Sequence, residues 1–196
     1  MARALQCRLD VGKGANRGFT LIEMMIVVVI VGVLATLAVV GYRKIVQSSH
    51  VSEATGMVQN IRVAQEAYKS ETQQYANISS SLTDWWPQGA VGPTNGTQFA
   101  WQGGTCTCGQ GYLWTDIPLH VDGPVLFGYA TMAGTSATQP QATVTYKNAT
   151  YPLAQNLTTD WYVVTAAADL DSNTSTATLV VGASWTNQIT VVNEGQ

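Results

Sequence analysis

The chain has 196 residues, enough for one medium domain with an appendage, and 46% of them are apolar while only 11% are charged. That balance excludes an intrinsically disordered chain, which needs the opposite composition. A formal net charge of −3, from 9 Lys and Arg against 12 Asp and Glu, speaks against an electrostatic nucleic-acid binder.

The charges are segregated. Arg3, Arg8, Lys13 and Arg17 stand against Asp10 alone in the first 18 residues. Residues 19–42 carry one charge, Glu23, and beyond residue 72 the single base Lys147 faces seven acids. Residues 24–40 read MMIVVVIVGVLATLAVV, and with their flanks they make a 24-residue segment over 19–42. As a helix, that length crosses a hydrocarbon core of about 30 Å. A secretory signal peptide would have a shorter apolar region and a small-x-small cleavage site, whereas Gly41-Tyr42-Arg43-Lys44 follows here. More Lys and Arg precede the span than follow it closely, which places the N-terminus in the cytoplasm and the remainder outside.

Glu23 is out of place in a plain anchor, because a carboxylate in an apolar span is costly unless it is paired. The run Lys13-Gly14-Ala15-Asn16-Arg17-Gly18-Phe19-Thr20-Leu21-Ile22-Glu23, followed by the apolar span, resembles the amino terminus of type IV prepilins and pseudopilins. The resemblance implies that a membrane peptidase cuts after Gly18 and methylates Phe19, and that Glu23 is the assembly residue. Physical chemistry supplies a reason. The cut leaves an α-amino cation inside the apolar segment, and Glu23 can neutralise the amine of a neighbouring copy, removing two isolated charges from lipid at once. The close match covers residues 13–42 and continues only as a similarity of layout. One departure is the absence of a proline at the end of the span, where Val40-Gly41 stands. Gly32, Gly41 and Gly56 are candidate soft points of the helix, with close packing between helices as the other reading for Gly32.

After Lys44 the pattern becomes amphipathic. Val51, Ala54, Val58, Ile61, Gln65, Tyr68, Thr72 and Tyr75 recur at spacings of three and four, which predicts a helix continuing to residue 76 with a core-facing stripe. Arg62 and Glu66 fall off that stripe as an exposed i,i+4 pair. A single helix over residues 19–76 would measure about 87 Å at ~1.5 Å per residue.

Residues 79–120 read as loop, with Trp85-Trp86-Pro87, Gly92-Pro93, Asn95-Gly96 and Gly103-Gly104 as turn signals. Trp85, Trp86, Trp101 and Trp114 are expected to fasten this loop to a core rather than to face a partner. Strands are expected at 125–132, 142–146, 161–168, 176–181 and 188–192, linked closely enough for an antiparallel sheet. The fold class is α+β, a long N-terminal helix packed on a C-terminal antiparallel sheet, which is also what the pilin resemblance implies. The expected organisation is a cleaved basic leader (1–18), a membrane and assembly half-helix (19–42), an amphipathic half-helix (43–76) and an external domain (77–196).

Other chemistry is sparse. Cys106 and Cys108 lie in the oxidising exterior, where a strained disulfide, free thiols and an intermolecular bridge are all open. Zinc lacks ligands, since beyond the leader only His50 and His120 accompany those cysteines. Asp169, Asp171 and Asn173 open like a calcium loop. Thr174 and Val180 stand where such a loop needs glycine and glutamate, so a hairpin turn is favoured over a weak calcium site. Five Asn-x-Ser/Thr triplets, at Asn77, Asn95, Asn148, Asn156 and Asn173, are attributed to composition. No nucleophile, metalloprotease or phosphate-loop motif occurs, so neither an enzyme nor a cofactor is expected. The expected function is a filament subunit of type IV pilus kind. It would partner with further copies and other pilins, a prepilin peptidase and the assembly machinery, first in the inner membrane and then in the periplasm or at the surface. A type II secretion pseudopilin and a single-pass anchored binding protein are the alternatives. The acidic outer part repels phosphates and speaks against direct DNA capture.

Overall fold

The computed structural model describes residues 18–87, 97–101, 111–170 and 175–194. They divide into two compact units, Met1–Gly41 and Tyr42–Gln196, with the boundary falling inside the single long helix α1 (Leu21–Thr72). Helix α1 opens with a capping box. The Thr20 amide and hydroxyl both donate to Glu23 Oε2, at 2.8 and 2.7 Å, and the Glu23 amide returns a 3.3 Å bond to Thr20 Oγ1. Its β-branched run Val27-Val28-Val29-Ile30-Val31 would favour a strand in water, but in lipid only a helix satisfies every backbone group from within one segment.

Helix α1 ends at Thr72 rather than at residue 76. Gln73 takes a left-handed φ of 63°, and its amide donates to the Lys69 carbonyl at 2.8 Å, which is the simple left-handed helix cap. Tyr75 therefore stands beyond the helix, where its hydroxyl donates to Glu66 at 3.1 Å and its ring lies 4.1 Å beneath Lys69 Nζ.

Six strands follow: β1 (Gly128–Gly134), β2 (Thr143–Tyr146), β3 (Ala149–Pro152), β4 (Trp161–Ala168), β5 (Thr178–Ala183) and β6 (Thr190–Val192). The main sheet is antiparallel with order β1-β4-β5-β6. The sequence placed 142–146 in that sheet and missed β3; the structure instead pairs β2 with β3 as a separate two-stranded hairpin. It turns through Lys147 and Asn148, with Lys147 at a left-handed φ of 51°.

The hairpin explains an oddity of composition. Strands β4 and β5 are apolar almost throughout and buried at every position, as strands covered on both faces must be. One face of β4, carrying Tyr162, Val164, Ala166 and Ala168, packs with Ala54, Val58 and Ile61 of α1. The other face, carrying Trp161, Val163 and Ala167, packs with Leu82, Trp85, Val144, Ala149 and Leu153. The second unit is thus helix on sheet on hairpin. The approach of α1 is close at Gly182, where a Cβ would meet Val58 Cγ1 at 2.9 Å and Arg62 Cδ at 3.0 Å.

The chain after α1 protects the outer edge of β1. The Ser79 amide donates to the Thr131 carbonyl at 2.9 Å, and Trp86 and Tyr129 exchange amide bonds of 2.8 and 2.7 Å. Covering an edge in this way removes an open template for strand pairing. Trp85 and Trp114 are buried, and Trp101 sits edge-on to Trp114 and Tyr129 at 5.2 and 6.0 Å. The described tryptophans of the loop fasten it to the core.

Candidate functional site

The N-terminal residues 18–23 form the candidate site. Gly18, Phe19 and Thr20 precede the first helical residue and are exposed, an arrangement that offers the Gly18–Phe19 bond in non-helical, accessible chain. Glu23 holds the first turn of α1, where a carboxylate also complements the partial positive charge of the helix N-terminus. Both of its described hydrogen bonds from Thr20 converge on Oε2. They hold the carboxylate against Thr20 at the start of the helix, with both bonds on one oxygen.

Every residue from Gly18 through Ile45 is exposed. Phe19 is 77% exposed, Leu21 86% and Val40 72%, an apolar surface far beyond what a solvated monomer sustains. The helix is long and apolar enough here to cross a membrane. Chemically, the site is one polar clasp at the tip of a surface that needs lipid or other protein around it.

The remaining residues singled out in the sequence do not gather into a second site. Cys106, Cys108, Asp171, Asn173 and Asn95 lie outside the described residues. Asp169 is 2% exposed, and its Oδ2 pairs with Lys147 Nζ at 2.6 Å, so a cation already holds that carboxylate. No metal-holding group of three or more His, Cys, Asp or Glu occurs among the described residues. Asn77 and Asn148 spend their side-chain oxygens on the backbone amides of Ala133 and Ala177, at 3.0 and 3.3 Å.

Sequence reasoning missed Arg62. It was expected on the surface with Glu66, yet it is 8% exposed and donates to the carbonyls of Thr186 and Asn187 at 2.7 and 3.3 Å. Its spacing of four from Val58 and three from Gln65, both on the buried stripe, was the available signal. Burial and the Glu66 carboxylate push the phenol of Tyr75 far above its ordinary range, and burial does the same to Tyr129, with Glu53 adding to it.

Comparison with known proteins bears on the same segment. The prokaryotic N-terminal methylation motif matches residues 13–39. The chain is 40% identical over 67 residues to the type IV major pilin protein PilA of Myxococcus xanthus, covering 34% of this chain and 30% of that one. It is 37% identical over 83 residues to a fimbrial protein of Pseudomonas aeruginosa, covering 42% and 52% respectively. It is 39% identical over 51 residues to the type IV major fimbrial protein FimA of Dichelobacter nodosus, covering 26% and 32%. In these three comparisons the chain spans between 30% and 52% of its relatives' own length. No solved structure matches it. In its N-terminal part, then, the chain carries the prokaryotic N-terminal methylation motif and is similar to type IV pilins and fimbrial proteins.

Proposed function

We propose that the protein is the structural subunit of a type IV pilus-like filament. It enters the inner membrane as a prepilin with a cytoplasmic N-terminus, is cut after Gly18, is methylated on Phe19, and polymerises through α1. The observation that carries this reading is the apolar half-helix, exposed on every side and bearing Glu23 as its single charge. Extraction into a filament exchanges lipid for the same surface of other copies, and the amine of one Phe19 meets the Glu23 of its neighbour. That contact is a charge-assisted pair in a low-dielectric setting, where an unpaired carboxylate is costly. Prepilin peptidase and a membrane assembly machinery are the partners this route requires.

A pseudopilus would use the same N-terminal chemistry. The fibre is preferred because the similar proteins are named as pilins and fimbrial proteins. Adhesion, motility and uptake would then belong to the fibre as a whole.

Glu23→Val tests the reading. The variant is expected to accumulate in the membrane at wild-type level while sheared surface fibres fall at least about ten-fold, the loss that ~1.4 kcal/mol per contact brings. A plain anchored binding protein would tolerate this change, since it makes the span more apolar. Undiminished fibres from Glu23→Val would remove the pairing argument.

A further inference from the structure

Of the five bases that follow Gly18, three are occupied within the chain. Arg62 bonds the carbonyls of Thr186 and Asn187, Lys147 pairs with Asp169, and Lys69 lies over the ring of Tyr75. The other two, Arg43 and Lys44, are adjacent, exposed and without an ion pair among the described residues. They stand where α1 leaves its most apolar stretch.

A cleft of about 340 Å³ opens further along α1 in the same unit, between the helix and the loop that leads into β1. Its walls carry Glu53 and Asn60 from the helix and His120 and Asp122 from the loop, with Gly56 and Tyr129 between them. Three features mark it as built to receive something. Glu53 has no described ion-pair partner, and Asp122 is paired only with the neighbouring exposed His120, at 2.8 Å. The Tyr129 hydroxyl is buried without a hydrogen-bond partner, and the Glu53 carboxylate acts on it electrostatically. Gly56 weakens the helix relative to alanine, yet a Cβ there would meet no atom of the chain within 4 Å. Among the described residues, no packing contact requires that glycine. It opens the wall of the cleft to close approach from outside.

We propose that this cleft is an interface between copies of the chain, and that it takes the Arg43–Lys44 step of a second copy. The basic head of one of these side chains reaches Glu53 and lies against the helix at Gly56. Electrostatic complementarity of this kind fixes register and suppresses wrong partners more than it raises raw affinity. The pair would therefore set the relative placement of subunits outside the membrane, as the Glu23 contact does within it. The inference rests on the filament reading.

The test is paired cysteine substitution with charge reversal, read on sheared fibres and on membrane extracts of the full chain. In fibres, Lys44→Cys combined with Glu53→Cys is expected to give a dimer band under mild oxidation that neither single variant gives. Glu53→Lys is expected to lower fibre yield about ten-fold, and adding Arg43→Glu and Lys44→Glu to restore it. Gly56→Leu is expected to lower fibre yield while the melting temperature of the extracted subunit stays at or above that of the wild type. Wild-type chain that forms no fibres would refute the filament reading itself. Fibres that form normally in Glu53→Lys, or that cross-link Lys44→Cys to Glu66→Cys instead, would overturn this inference alone. So would loss of membrane retention in Arg43→Glu/Lys44→Glu that Glu53→Lys fails to offset, since that outcome assigns the two bases to anionic lipid.

Discussion

Gln65 lies on α1 with none of its surface exposed, yet its amide is fully used. Nε2 donates to the Ala76 carbonyl at 2.8 Å and to Thr131 Oγ1 at 3.2 Å, while Oε1 accepts from the Ala76 amide at 2.9 Å. One side chain thus ties the helix, the segment after it and strand β1 together. Gln65→Leu keeps the volume but strands both Ala76 backbone groups, so it should cost roughly 2–4 kcal/mol. Unfolding of the detergent-solubilised chain, followed by tryptophan emission, measures this; an unchanged stability would show the network to be dispensable. The buried phenols make a separate prediction. Burial raises Tyr75, Tyr129, Tyr146 and Tyr162 above the ordinary phenol value. In the unfolded chain these groups lose protons near about pH 10. Above that pH the unfolded chain releases protons that the folded chain keeps, so stability is full below about pH 10 and falls as pH rises beyond it. An alkaline series of unfolding midpoints, with tyrosinate absorbance followed in parallel, should show that decline. A flat midpoint while exposed tyrosines ionise would contradict it.

At the scale of elements, two glycines with opposite surroundings test how α1 is packed. Gly56 is in the helix interior with open space around its Cα, so Gly56→Ala should stabilise the isolated subunit by about 1 kcal/mol. Gly182 lies under the helix, where a Cβ would press on Val58 and Arg62, so Gly182→Ala should destabilise it by about 1–3 kcal/mol. Paired melting curves give both signs, and equal shifts would refute the close helix–sheet approach. The same elements show what the sequence could reveal. Spacings of three and four from Val51 to Gln65 located the buried stripe, because a helix repeats its face at that interval. The apolar run at residues 161–168 matches β4 residue for residue. The β2–β3 hairpin was harder to see, since Lys147 and Asn148 are the whole turn and Pro152 ends the second strand. A proline demotes a strand pattern unless the strand lies at an edge, as this one does. Arg62 eluded the reading because its partners are carbonyls more than a hundred residues away, which no local pattern encodes.

For the whole molecule, the composition averages over unlike parts. From Phe19 onward the chain carries 5 bases and 11 acids, so the mild net charge of the full sequence conceals a strongly acidic remainder. The apolar surplus is likewise concentrated in the exposed first half of α1, while the second unit closes its own core on both faces of the sheet. The proposed N-terminal site can be named residue by residue from the sequence, because Gly18, Phe19 and Glu23 are contiguous with the apolar span. The capping box between Thr20 and Glu23 was not anticipated, although Thr-x-x-Glu before an apolar run is its sequence signature. The central claim is that the chain is processed at Gly18 and polymerises through what remains. N-terminal sequencing and intact mass of the protein recovered from sheared surface fibres test it most directly. The account predicts a chain that starts at N-methylated Phe19, whereas a membrane-extracted chain that still starts at Met1, with none in fibres, would contradict it.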